Sequence, residues 1–213
     1  YLPADGNPDT SPFLIYHHGN GEDIGYTYER LVRIQRLGLS VLAYDYPGYG
    51  TSEGKPSEAS ALAAARAVLE YAASSYDRNP EDMIHFGRSL GTGVAMEMAA
   101  RFGARGLILE SPFLSTFRVL TRIRILPWDI FDNIGIADQI HCPVLLIHGT
   151  SDPIVPFSHG QQLFAALDEP KQSLFVEGGD HNNLPAIAGE SYWKTIGHFV
   201  SLHSPSLTVE TNE

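Results

Sequence analysis

A serine between two glycines is the residue of this chain best placed to act as a nucleophile. Residues 87–91 read Gly-Arg-Ser-Leu-Gly and follow the apolar run 83–86. A strand that ends in this pattern and turns sharply into a helix holds its serine in a strained, solvent-facing position, and the glycines leave room for the turn. The pattern also arises by chance, and a serine at this position can simply cap a helix. The assignment of Ser89 as a nucleophile therefore requires a base and an acid elsewhere in the sequence.

Both partners follow Ser89 in the sequence. A nucleophilic serine requires a histidine that takes its proton and a carboxylate that orients this histidine. Asp152 comes shortly after the apolar run 143–148, and His181 comes shortly after the run 172–177. Since the carboxyl ends of parallel strands meet at one edge of a sheet, we expect Ser89, Asp152 and His181 to lie together there. The sequence therefore predicts a Ser-His-Asp triad.

Two backbone N–H groups are predicted to stabilise the charge that such a triad creates. Attack on an acyl carbon places negative charge on the carbonyl oxygen, and one backbone donor is worth about 3–4 kcal/mol to the transition state. The first donor is expected at Leu90, the residue after the nucleophile. The second is expected in residues 18–23, which follow the apolar run 13–17. We place it at Asn20, with Gly21 as second choice, and the alternative is an ordinary strand-to-helix connection.

Short aliphatic runs alternate with helix-like segments along the chain, and the runs are typical of strands buried on both faces. The predicted strands are residues 13–17, 40–45, 82–86, 106–110, 143–148 and 172–176. The predicted helices are residues 22–37, 56–73, 89–102, 158–167 and 190–203. This alternation predicts an α/β fold with a mostly parallel sheet of about six strands and helices on both faces. We expect one domain over residues 1–213.

One interval, residues 111–142, breaks this alternation, and we expect it to form a short lid over the site. Its apolar side chains are interspersed with arginines, a combination that could dock on a lipid surface. The alternative, which we favour, is a helix that packs its apolar face on the sheet. We expect a substrate pocket formed by residues of the lid and of the two site loops: Gly21, Arg88, Phe113, Leu114 and Phe117.

Composition limits the partners of the protein. Its formal net charge of −11 argues against nucleic acid, because phosphate binding needs a basic stripe. The single cysteine has no metal-binding spacing and fits a reducing compartment. We expect no metal, no organic cofactor, and a cytoplasmic or peripheral membrane location. Residues 1–3 are interpreted as the end of a strand that begins upstream, which leaves room for a preceding anchor or targeting segment.

Four motifs resemble one branch of the α/β-hydrolase superfamily over nearly the whole chain. They are residues 45–52 (Asp-Tyr-Pro-Gly-Tyr-Gly-Thr-Ser), 87–93 (Gly-Arg-Ser-Leu-Gly-Thr-Gly), 148–152 (His-Gly-Thr-Ser-Asp) and 176–182 (Val-Glu-Gly-Gly-Asp-His-Asn). The branch contains thioesterases that depalmitoylate proteins, lipases acting on monoacylglycerols or lysophospholipids, and bacterial esterases. The resemblance implies an α/β-hydrolase fold and the same triad.

The resemblance also implies a reaction, the hydrolysis of a carboxylic ester or thioester through an acyl-enzyme intermediate. The expected substrate is a small-molecule or lipid acyl ester, and residues 17–20 match the oxyanion loop of the branch. Two departures stand out. The antiparallel strands that normally precede this loop are missing, and Arg88 replaces a His or Gln of some relatives, which we expect to change the pocket rim.

Two other functions remain compatible with these motifs. A serine peptidase of the prolyl-oligopeptidase type uses the same triad, although such enzymes usually carry a large additional domain. A non-catalytic α/β-hydrolase that binds a ligand typically lacks one triad residue, and here none is missing. A dehalogenase is excluded, because those enzymes place an aspartate where Ser89 stands.

Overall fold

Six strands form one sheet in the computed structural model, which describes residues 1–115 and 130–203. They are β1 (Phe13–His17), β2 (Ser40–Ala43), β3 (Met83–Arg88), β4 (Gly106–Glu110), β5 (Val144–Gly149) and β6 (Lys171–Val176). The strand order is β2-β1-β3-β4-β5-β6, and all five neighbouring pairs are parallel. The predicted parallel α/β sheet is confirmed. From β1 the chain first adds β2 on one side and then β3 and the later strands on the other side. Open α/β sheets place their sites at such a switch point, here between β1 and β3.

Six α-helices lie between or after these strands in the described part of the chain. They are α1 (Ile24–Gln35), α2 (Glu58–Tyr76), α3 (Leu90–Phe102), α4 (Phe157–Ala166), α5 (Leu184–Ala188) and α6 (Glu190–Leu202). Five of them lie close to predicted helices, whereas the short α5 was not predicted. Two 3₁₀ segments, Pro80–Asp82 and Asn133–Gln139, were also not predicted. The hydroxyl of Ser57 accepts the N–H of Ser60 at 3.1 Å and so caps the start of α2.

Side chains that alternate along the strands pack against helices on opposite faces of the sheet. On β1, Leu14 and Tyr16 lie in a core cluster with residues of α1 and α6. Phe13 and Ile15 lie in a second cluster with residues of α2 and α3. A third cluster joins β4 and β5 to α3 and α4. Each buried large apolar side chain contributes about 1.5–3 kcal/mol to the free energy of folding. The strands whose ends carry the site are therefore held in place by packing on both faces of the sheet.

The outer edge of β2 carries a single antiparallel bridge. Leu2 and Val41 exchange two backbone hydrogen bonds of 2.8 Å each. No further antiparallel strand is present in the ranges that the structure describes, 1–115 and 130–203. Among the helices of those ranges, none is both long and apolar enough to cross a membrane.

The parts of the predicted lid that the structure describes, residues 111–115 and 130–142, pack on the body of the domain. Ala137 and Ile140 are buried in the third core cluster. The side-chain amide of Asn133 donates to the carbonyl oxygen of Phe113 at 2.9 Å, which ties the two parts together. Phe117 and the arginines of the lid lie outside the described residues, so contact with lipid stays a prediction.

Candidate active site

Ser89 occupies a sharp turn between β3 and α3. Its φ of 49° and ψ of −116° are sparsely populated for a residue with a side chain, a strain of about 1–3 kcal/mol. The neighbouring glycines make the turn possible. A Cβ on Gly87 would lie 2.5 Å from the carbonyl oxygen of Gly91, and a Cβ on Gly91 would overlap the carbonyl oxygen of His17. The half-buried Ser89 is therefore held at the edge of the sheet by backbone geometry.

The three predicted triad residues form one hydrogen-bonded line. His181 Nε2 lies 2.9 Å from Ser89 Oγ, and His181 Nδ1 lies 2.8 Å from Asp152 Oδ2. Because an ionised carboxylate can only accept, Nδ1 carries the proton and Nε2 is free to accept from the serine hydroxyl. Asp152 follows β5 and His181 follows β6. The sheet thus brings together three side chains that are far apart in sequence.

Asp152 is fixed by its own turn as well as by the histidine. Its Oδ1 accepts the N–H of Ile154 at 2.9 Å and that of Val155 at 2.8 Å. Burial raises the pKa of Asp152, but the hydrogen bond and charge of His181 and the two N–H donors outweigh it, so the pKa lies below its usual range. His148 begins the motif 148–152 but has no predicted role; its Nε2 donates to the carbonyl oxygen of Val155 at 3.0 Å and lies 3.6 Å from Asp152 Oδ2.

The two predicted oxyanion donors, Asn20 and Leu90, lie on the same cavity as Ser89. In residues 1–115 and 130–203, no protein acceptor takes the backbone N–H of either residue. The side chain of Asn20 is held by Tyr49, whose hydroxyl donates to Asn20 Oδ1 at 2.7 Å. Gly21, the second choice, has a φ of +74° and turns the loop; it is not among the lining residues described. Both predicted donor residues thus lie on the cavity of Ser89, and their role as oxyanion donors stays a prediction.

The cavity beside Ser89 has a volume of about 390 Å³ and largely apolar walls. Its aromatic and aliphatic lining residues are Tyr46, Tyr49, Pro56, Ala61, Leu90, Phe113, Ile130, Phe131, Ile154 and Val155. Glu58 is the one carboxylate among the described lining residues, and its Oε1 accepts the N–H of Phe131 at 2.7 Å. This size and polarity suit an apolar group of a small ligand with few polar contacts. No three His, Cys, Asp or Glu side chains of the described ranges are grouped as a metal site would require.

The five predicted pocket residues have different positions. Phe113 lines the cavity. Leu114 is buried in the third core cluster and, like Gly21, is absent from the described lining. Phe117 lies outside the described residues. The lining residues that the sequence analysis missed, such as Tyr46 and Phe131, lie in loops, where no periodic pattern marks the residues facing a cavity.

Arg88 lies in the protein interior and not on the pocket rim, where we had predicted it. It is 5% exposed, and it is not among the described lining residues of the cavity. Its guanidinium donates to Glu22, to Glu110 and to the carbonyl oxygen of His181. The physical reason for this position is charge pairing, because a buried guanidinium is tolerated only where anionic and carbonyl oxygens surround it.

Comparisons with known proteins agree with this architecture. The family model described as "Serine aminopeptidase, S33" matches residues 9–128. Human α/β hydrolase domain-containing protein 17B is 35% identical over 198 residues, which cover 92% of this chain and 68% of the relative. The solved structure of a monoacylglycerol lipase from Paleococcus ferrophilus superposes with a TM-score of 0.76 at 23% identity, over 96% of this chain and 97% of that one. Est1E from Butyrivibrio proteoclasticus, with ferulic acid bound, gives a TM-score of 0.77 at 20% identity, over 95% and 93%.

Proposed function

The chain belongs to the serine aminopeptidase S33 family of α/β hydrolases, and we propose that it hydrolyses carboxylic ester or thioester bonds with Ser89, His181 and Asp152 as its triad. The observation that carries the proposal is the hydrogen-bonded line from Asp152 through His181 to Ser89, which ends at an apolar cavity. A strained serine, an oriented imidazole and an ionised carboxylate together are the requirements for nucleophilic acyl transfer.

The proposed reaction has two halves. His181 Nε2 takes the proton of Ser89 Oγ as this oxygen attacks the acyl carbon, and then gives the proton to the departing alcohol or thiol. Water deprotonated by the same nitrogen attacks the acyl-enzyme, and the proton returns to Ser89 as the acid leaves. Asp152 stabilises the imidazolium in both halves, and the N–H groups of Asn20 and Leu90 donate to the oxyanion.

The cavity supports an acyl group as the part of the substrate that is bound. Its apolar walls would cover the hydrocarbon of an acyl group, and Asn20 and Leu90, the two proposed N–H donors, line the same cavity as Ser89. Two neighbours of the same fold are a monoacylglycerol lipase and Est1E with ferulic acid bound. A small-molecule or lipid acyl ester is therefore the substrate class we propose.

A peptidase is the second candidate, and two observations favour it. The family model is described as a serine aminopeptidase. Glu58 places a carboxylate on the cavity wall, where it could pair with the α-ammonium group of an amino-terminal residue. The test is the hydrolysis of aminoacyl p-nitroanilides by the wild-type protein and by Glu58→Gln. Turnover that is lost in the variant, while the variant still hydrolyses p-nitrophenyl esters, would favour the peptidase over the ester hydrolase.

The proposal is tested with a fluorophosphonate probe and p-nitrophenyl esters of increasing acyl length. We expect the wild-type protein to be labelled and to turn over esters, and Ser89→Ala to lose both while it keeps its melting temperature. Equal labelling of the variant would reject Ser89 as nucleophile. A folded wild-type protein that neither reacts with the probe nor cleaves any ester would favour the non-catalytic ligand-binding alternative.

A further inference from the structure

Four charged side chains form a buried cluster beside the nucleophile turn. Arg88, Glu22 and Glu110 have side chains that are 6%, 8% and 1% exposed, and Arg30 is 17% exposed. Two cations face two anions, so the cluster has no formal net charge. Arg88 lies at its centre, because its guanidinium pairs with both carboxylates.

One side of Arg88 reaches the loop that carries the oxyanion donor. Its Nη1 donates to Glu22 Oε1, and the second oxygen of the same carboxylate, Oε2, accepts the N–H of Gly19 at 2.6 Å. Gly19 immediately precedes Asn20. The guanidinium is thus linked through one carboxylate to the backbone next to the proposed oxyanion donor.

Another nitrogen of Arg88 reaches the loop that carries the proposed base. Nη2 donates to the carbonyl oxygen of His181 at 2.9 Å and to Asn182 Oδ1 at 2.7 Å. Because Arg88 also precedes Ser89 directly, one side chain connects the three segments that carry the nucleophile, the base and an oxyanion donor. A planar guanidinium with five donors can make these contacts at once, which a lysine ammonium on a flexible stem cannot.

Glu110 fixes the remaining edge of the guanidinium. Its Oε1 accepts from Arg88 Nε at 3.2 Å, and its Oε2 accepts from Arg30 at 2.5 Å and from the hydroxyl of Tyr192. Burial raises the pKa of Glu110, but Arg30, Arg88 and the hydrogen bond of Tyr192 outweigh it and leave the pKa below its usual range. The carboxylate therefore stays ionised and holds Arg88 in one orientation.

We propose that Arg88 is a positioning residue, which holds the oxyanion loop (residues 18–23) and the histidine loop (residues 177–183) in register around Ser89. The inference rests on the proposed hydrolase function. Removing Arg88 alone leaves the buried carboxylates of Glu22 and Glu110 without this partner and lowers stability, but a misplacement of about 1 Å in a reacting group can in addition slow catalysis about 100-fold. The effect of removing Arg88 is therefore expected in turnover, beyond any effect on folding.

The test compares kcat and KM of wild type and Arg88→Gln on one p-nitrophenyl ester. We expect kcat to fall about 10- to 100-fold, with KM changed less than about threefold, because the acyl cavity is untouched. Labelling by the fluorophosphonate probe should slow by a similar factor. Glu22→Gln and Asn182→Ala each remove one contact and should lower kcat about 3- to 10-fold, which keeps the test open if Arg88→Gln fails to fold.

A double-mutant cycle and a matched arginine sharpen the result. Arg88→Gln combined with Glu22→Gln should lose less than the product of the single effects, because both act through one contact. Arg105 pairs with Asp82 at the opposite end of the sheet, so Arg105→Gln should lower the melting temperature and leave kcat unchanged. Wild-type kcat in a folded Arg88→Gln would overturn the inference, whereas an inactive, unlabelled wild-type protein would instead overturn the proposed function.

Discussion

Two hydrogen-bonded histidine arrangements in this domain differ in the side chains beside them and in their access to a cavity. His181 connects a carboxylate to a hydroxyl beside a cavity. His17 and His85, on the adjacent strands β1 and β3, are fully buried; their Nε2 and Nδ1 atoms lie 2.9 Å apart, and His17 Nδ1 lies 2.8 Å from the Tyr44 hydroxyl. The histidine side chain alone does not define a site, because a nearby carboxylate and access to a ligand decide what the imidazole can do.

The charge states of the two arrangements follow from these neighbours. Burial lowers the pKa of His85 to about 4, and burial together with His85 and His18 lowers the pKa of His17 well below its usual value. Both rings are neutral near pH 7. In the described part of the chain His85 Nε2 has no hydrogen-bond partner, so the line from Tyr44 ends there. Among the described residues no carboxylate pairs with either ring, so this arrangement lacks the counter-charge that Asp152 gives to His181.

The largest predicted effect breaks the histidine–carboxylate pair. In Asp152→Asn, we expect kcat for ester hydrolysis to fall about 10⁴-fold, because the amide no longer fixes the proton on His181 Nδ1 or stabilises the imidazolium. The Asn side-chain oxygen can still accept the N–H groups of Ile154 and Val155, so the melting temperature should change little. The measurement is steady-state kinetics with thermal unfolding as control. A loss below tenfold would mean that the carboxylate does not orient His181.

The elements around the site were predictable because buried parallel strands leave a strong sequence signal. Short aliphatic runs located the strands that precede Ser89, Asp152 and His181, and chain order then suggested the triad. The cavity lining was less predictable, since loop residues such as Tyr49 and Phe131 become neighbours through tertiary packing. The position of Arg88 was missed for a related reason. An arginine in a sequence gives no sign of the two carboxylates, one 66 residues before it and one 22 after, that allow its burial.

A second prediction concerns the neutral histidine pair and the dependence of stability on pH. The folded pKa of His85, about 4, lies below an unfolded value of about 6.5, so the unfolded chain binds more protons in between. The contribution of neutral His85 to the free energy of unfolding is present above pH 6.5. It is lost as the pH falls toward 4, by about 3 kcal/mol in total. The lowered pKa of His17 adds a loss of the same sign.

Urea unfolding at pH 7.5, 5.5 and 4.5 measures this loss. We expect His85→Gln to flatten the curve between pH 6.5 and 4, although the variant is less stable at pH 7.5. His198→Gln, at an exposed position of α6, should follow the wild-type curve. Equal slopes for His85→Gln and the wild-type protein would show that His85 is not held neutral by the fold.

The smallest predicted effect removes the hydroxyl that ends the buried line. Tyr44→Phe leaves His17 Nδ1 without its partner at 2.8 Å, and an unpaired buried polar atom costs about 1–2 kcal/mol, or roughly 2–8 °C in melting temperature for a domain of this size. We expect kcat to stay within about twofold of wild type, because Tyr44 contacts neither the triad nor the oxyanion donors. The variant probes the independence of the two arrangements, since His17 immediately precedes the oxyanion loop. A loss of kcat well beyond twofold in a folded Tyr44→Phe would mean that the neutral pair also sets the position of Asn20. The two histidine arrangements would then be coupled through the oxyanion loop.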